Sequence, residues 1–129
     1  MSCSISLSHI IDYLIHSKKP MTKSELYFVT DIETDGPIPG PHSMLSFACV
    51  AVNASGEAAG EFSINLETLP DAQAHPTTAA FWRGEPQAWA ACREHPVAPE
   101  QAMKEYVSWI YELCAHHSAP VFVGYPAGF

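Results

Sequence analysis

Three stretches of this 129-residue chain, ELYFVTD, SMLSFACVAVN and EFSINL, read as β-strands, and the short links between them leave one simple arrangement. ELYFVTD opens at Glu25 and is rich in β-branched and aromatic residues. GPIPGP, residues 36–41, breaks it, because three prolines in so short a run cannot continue a hydrogen-bonded ladder. SMLSFACVAVN is long and apolar, which suits a central strand buried on both faces. ASGEAAG is a turn. EFSINL alternates, with Phe62, Ile64 and Leu66 on one face and Glu61, Ser63 and Asn65 on a wet one. Consecutive strands with short links predict an antiparallel meander.

The remainder predicts helices and one more strand. TTAAFW and PQAWAACREH are short helix candidates in a loop-rich middle, and Pro86 suits a first helical turn. PEQAMKEYVSWIYELCAHH is the clearest helix. Its predicted apolar stripe is Met103, Tyr106, Val107, Ile110 and Cys114, with Pro99 opening it and Pro120 closing it. Trp109 and Tyr111 are read as packing residues of this helix. Val121 to Val123 then form a strand, and a strand–helix–strand sequence implies parallel pairing through a right-handed crossover. The class is α/β, in one domain, since the length supports one ordinary core and not two.

The first strand runs straight into Asp31, Glu33 and Asp35. Residues two apart on a strand share a face, so Asp31 and Glu33 point together while Ile32 turns into the core. Two ionised carboxylates so placed repel unless water or a cation offsets them. Hard oxygen ligands select Mg2+ or Mn2+, and paired ions can activate a water and steady a phosphate leaving group. Asp35 is expected past the strand, in the turn with Gly36, solvated or at most backing the metal ligands without touching the ion. A D-x-E pair alone more often marks a solvated acidic turn. Its place at the end of an apolar strand raises the odds of a site.

Other features restrict the function less. The net charge of −8 argues against a protein that coats duplex nucleic acid, but not against one that grips a strand end through metal ions. Cys3, Cys49, Cys92 and Cys114 have no zinc spacing and read as reduced thiols of a cytoplasmic protein, with Cys49 and Cys114 in the core. Residues 1–20 carry Leu7, Ile10, Ile11, Leu14 and Ile15 at helical spacing, yet lack the basic start of a signal peptide and are too polar to span a bilayer. They are read as an N-terminal extension, either an amphipathic helix or a mis-assigned start before Met21. No membrane association is expected. His42 is a candidate phosphate contact, and His116 and His117 are read as a helix-end pair, while His75 and His95 precede prolines in loops. Phe81, Trp82 and Trp89 are candidates for stacking on bases, although two of the three are assigned to the core.

FVTDIETDGP resembles the first motif of the DEDD exonuclease superfamily. SMLSFACVAV, EFSINLETLP, FW, AM…Y…W and PVFVGYPAGF extend the resemblance to the ribonuclease AS-type branch of 3′–5′ exoribonucleases, over residues 25–129. It implies a ribonuclease H-like fold: three-strand antiparallel meander, helical middle, crossover helix and parallel strand. It implies removal of nucleotides from the 3′ end of single-stranded nucleic acid, RNA favoured, with two Mg2+ or Mn2+ ions. Asp31 matches the aspartate that bridges both ions, and Glu33 the glutamate that binds one ion and faces the attacking water. Thr34 matches a residue whose backbone lies near the terminal nucleotide. A homodimer is a family expectation. The family uses four acidic ligands and a His or Tyr base; its second motif is an apolar strand, a short loop and Phe-Asp. VFVGYPAGF supplies this up to Phe129 but not the aspartate, and the later motif is not found. The chain is therefore expected to be the N-terminal portion of such a domain, holding one ion weakly and nearly inactive alone. Two rivals remain: a haloacid dehalogenase-like phosphatase with Asp31 as nucleophile, and a non-catalytic remnant that binds a partner.

Overall fold

The computed structural model describes residues 23–115 and 118–124. Expectations for residues 1–20, His116, His117 and the segment after Gly124 lie outside the described residues. Four strands and three helices follow in the order β1 (Ser24–Thr34), β2 (Met44–Asn53), β3 (Ala58–Asn65), α1 (Pro76–Gly84), α2 (Pro86–Cys92), α3 (Pro99–Cys114) and β4 (Ser118–Gly124). The sheet order is β3-β2-β1-β4. β1 and β2 pair antiparallel, as do β2 and β3, while β4 lies parallel to β1 from Ser24↔Ser118 to Thr30↔Gly124. The predicted meander, crossover helix and parallel strand are all present. Among the described residues no helix is long and apolar enough to cross a membrane.

The core lies between the sheet and α3. Leu26 and Phe28 of β1 and Cys49 and Ala51 of β2 are buried against Ile110 and Cys114. Phe28 is fully buried, with its ring edge-on to Trp109 at 5.4 Å and beside Phe122 at 5.8 Å between centroids. Phe47, Leu66 and Ala102 continue the core, with Ile32 and Tyr106 against them. Burial pushes the Tyr106 phenol up to about 12, partly opposed by its hydrogen bond with Thr30. Tyr106 is thus a neutral core residue rather than a base.

Several expectations for α3 and its neighbours change. Tyr106, Ile110 and Cys114 of the expected stripe pack against the sheet, as does Trp109, but Met103 and Val107 are exposed, and Ala102 and Leu113 pack in addition. The small side chain of Ala102 lets the helix approach Phe47 and Leu66 closely, and this turns the stripe away from Met103. Tyr111 is exposed rather than packed. The helix ends at Ala115 in a left-handed conformation (φ 36°), not at Pro120, which lies within β4 opposite Leu26. Pro120 is tolerated there because β4 is the edge strand among the described residues. Of the three aromatic residues in the middle segment only Trp82 is buried; Phe81 and Trp89 are exposed. The wet face of β3 is closed at one end, where the Asn65 amide donates to the carbonyls of Ala91 and Glu94.

Candidate metal centre

Along β1, Leu26, Phe28, Thr30 and Ile32 face α3, so the alternation places Asp31 and Glu33 together on the opposite face. Both are exposed. Their cross-strand neighbours on β2 are Ala48 and Ser46, whose small side chains leave space beside the carboxylates. β4 runs parallel to β1 and ends with Gly124 beside Thr30, one residue before Asp31. The two parallel strands therefore deliver their C-terminal ends to the same edge, where open α/β sheets hold ligands.

No ion pair reaches Asp31 or Glu33 among the described residues; Asp31 accepts only the adjacent Ile32 N–H, at 3.0 Å. Same-face neighbours on a strand stand about 7 Å apart. Two unit charges at that distance repel by about 0.6 kcal/mol in water. Solvent alone offsets this, so the pair needs no cation in order to fold. It remains a pair of hard oxygen donors with free lone pairs, which fits one side of a Mg2+ or Mn2+ site. Among the described residues no group of three His, Cys, Asp or Glu side chains converges on one point.

Asp35 is not solvated as its sequence position suggests: it is only 5% exposed. One carboxylate oxygen accepts the Ser43 N–H at 2.6 Å, and the Asp35 N–H donates to the Ser43 carbonyl at 3.0 Å. The Asp35 carbonyl accepts the His75 N–H at 2.8 Å. Ser43 in turn accepts the Leu69 N–H on its hydroxyl at 3.0 Å. This staple closes the proline loop, and His42 fills it. The His42 Nδ1 hydrogen-bonds the Gln73 carbonyl at 2.8 Å, and its ring lies so close to Gly36 that an added Cβ would come within 2.3 Å of it. His42 is thus a packing residue of the loop rather than a group aimed at the acidic pair. Asp35→Ala would leave the buried Ser43 N–H without its charged acceptor and should cost about 2–3 kcal/mol in chemical denaturation. Asp35→Asn keeps an acceptor oxygen and should cost less.

The end of β1 is fixed by a second device that sequence reasoning missed. The register shifts between Glu33 and Thr34: Glu33 pairs with Ser46 but Thr34 with Met44, so Leu45 has no partner. This bulge sends Leu45, fully buried, into a cluster with Trp82 and Cys92. Trp82 Nε1 donates to the Thr34 carbonyl at 2.9 Å, which binds α1 to the residue directly after Glu33. Thr34, expected near a terminal nucleotide, therefore has its carbonyl already engaged. The Phe-Trp dipeptide was the only sequence signal for this contact.

No family model matches the sequence. The 3′–5′ DNA exonuclease Cap18 of Escherichia coli is 32% identical over 109 residues, covering 84% of this chain and 54% of that protein. The nuclease domain of 3′hExo, a DEDDh family member solved bound to rAMP, superposes with a TM-score of 0.56 at 15% identity, covering 80% of this chain and 52% of that one. The chain thus spans about half the length of each. The structural likeness gives the fold, a mixed sheet with helices of the ribonuclease H-like nuclease type.

Proposed function

We propose that the chain is part of a DEDD-type 3′–5′ exonuclease, and that Asp31 and Glu33 are two of the divalent-metal ligands of a nuclease acting on the 3′ end of single-stranded nucleic acid. The observation that carries this is the exposed acidic pair on one face of β1, with no cationic partner among the described residues, at the strand-end edge of the sheet. A divalent cation bound there supplies charge for activating water and steadying the leaving oxygen. The protein's part is to hold the two carboxylates in fixed register. The β1–β2 ladder sets their shared face, and the Trp82–Thr34 bond and the Asp35–Ser43 staple stop the strand end from shifting.

Two Mg2+ or Mn2+ ions belong to the full reading, and two carboxylates are half of the four acidic ligands that it requires. The polypeptide of these 129 residues, tested alone, is accordingly expected to bind metal weakly and to shorten strands far below ordinary enzyme rates. The preference for RNA rests on the ribonuclease AS-like motifs, whereas the Escherichia coli relative is by name a DNA exonuclease, so both strands belong in the test. A cytoplasmic location and a homodimer are likewise proposals, resting on the reduced cysteines and the family resemblance.

Calorimetric titration with Mn2+ provides the test, combined with end-labelled single strands of both kinds. Weak binding that disappears in Glu33→Gln, with any shortening stopped by a blocked 3′ hydroxyl, is the expected result. Failure to bind Mn2+, shortening from the 5′ end, or a phosphoryl group covalently held on Asp31 would overturn the reading; the last outcome would favour the phosphatase.

A further inference from the structure

A cavity lies away from the acidic pair, between α1 and α2. Its volume is about 380 Å³, and Ala74, Ala79, Trp82, Arg83, Pro86 and Trp89 line it. Trp82 forms the buried wall and Trp89 the open one, with ring centroids 5.6 Å apart. Trp89 is 38% exposed, so part of its indole is available to a ligand. Arg83 makes no ion pair or side-chain hydrogen bond among the described residues, unlike Arg93, which donates to the Leu66 carbonyl, and Lys104, which pairs with Glu100. Among the described residues no acidic side chain lines the cavity.

We propose that this cavity binds an unpaired nucleobase of the single strand upstream of its 3′ end, with the base against Trp89 and the adjoining phosphate on Arg83. The inference rests on the nuclease reading for the identity of the strand, but the site is separate from the metal ligands. Three observations select this occupant. An indole face receives any base, since every base has a π-face. A guanidinium at the rim matches a phosphate in charge and shape. The chain carries a net charge of −8, so a phosphate strand is repelled over most of the surface and held where an unpaired cation adjoins an aromatic pocket. The cavity also lies one indole away from the site, because Trp82 forms its wall and at the same time donates to the Thr34 carbonyl.

Fluorescence anisotropy tests this on the full chain in EDTA, where nothing is cleaved. The probes are labelled single strands of about twelve nucleotides, DNA and RNA, a length within the range of single-strand sites. Trp89→Ala should weaken binding of these probes by about five- to a hundred-fold, the span found on removing one stacking partner, and Arg83→Ala by about tenfold or more, as for one lost charge-assisted contact. Trp89→Phe should retain most of the affinity. Arg83→Ala should also lower the slope of log affinity against log salt by about 0.7, as expected for one lost phosphate contact, while Trp89→Ala leaves the slope unchanged. Loss in either the DNA or the RNA arm supports the site and shows which strand it takes. Wild-type affinity in both variants would overturn it. Lack of binding by the unmodified chain in EDTA would overturn it and leave the nuclease reading to the Mn2+ titration. Binding that depends on Trp89 and Arg83 in a protein that takes up no Mn2+ would remove the nuclease reading and keep the pocket.

Discussion

Asp31→Asn should abolish divalent-metal binding while leaving the fold intact, and 3′-end shortening, wherever it is measurable, should fall by about a thousand-fold or more, since metal-ion stabilisation of a transferring phosphate contributes several kcal/mol. The stability side of this expectation follows from exposure. Asp31 is exposed, and among the described residues its side chain accepts only the adjacent Ile32 N–H, so its loss removes no packing. Neutralising it also relieves the repulsion from Glu33, a gain of about 0.6 kcal/mol at most in metal-free buffer. Metal reverses the order. A ligand that binds only the native state raises stability in proportion to the logarithm of its concentration. Mn2+ should therefore raise the melting temperature of the unmodified chain and not that of the variant. A variant that still responds to Mn2+ would show that the acidic pair is not the ligand.

Phe28→Ala should have the opposite profile. Phe28 is fully buried in the centre of β1, against Trp109 and Phe122, with Leu26, Cys49 and Ala51 around it. Truncation removes the transfer energy of the ring and leaves a cavity that the sheet cannot collapse into, a cost of about 3–5 kcal/mol. Single domains have about 5–15 kcal/mol in total, so the variant loses a large share of its stability. Urea denaturation followed by tryptophan fluorescence reads this directly, because Trp109 lies against the deleted ring. A shift of less than about 1 kcal/mol would contradict the packing described for this face.

Much of the architecture was legible because it rests on alternation and turn chemistry. The three meander strands, the Pro86 start of α2, the long helix and the parallel strand all follow from patterns of apolar residues and breakers. What stayed hidden depends on contacts between distant residues. Asp35 looks like a turn acid, and nothing in its neighbourhood signals that Ser43 donates to it. The stripe of α3 holds at Tyr106, Ile110 and Cys114 and fails at Met103 and Val107, because large apolar residues carry the periodicity signal whereas Ala102, the residue that is buried, carries almost none. The sequence places two of Phe81, Trp82 and Trp89 in the core without choosing among them, and the bond from Trp82 to Thr34 depends on a bulge that no strand pattern encodes. The acidic pair was readable as two residues on one face; whether other ligands join it depends on chemistry beyond the β1 strand.

The parallel pairing of β1 with β4 has a consequence for the order of events in folding. The Ser24 and Ser118 hydroxyls meet at 2.9 Å across 94 residues of sequence. Closing so long a loop is slow relative to joining β1 to β2 across the proline loop, because non-local contacts carry the entropy cost of the intervening chain. During synthesis β1 can therefore pair on one side as soon as β2 emerges, while its other edge waits until α3 and β4 have been made. For that interval Phe28 and Leu26 lack their cover from α3, and an open, apolar strand edge is exposed to other nascent chains. Slower translation through residues 66–117 would lengthen this window, and the yield of native protein should depend on it.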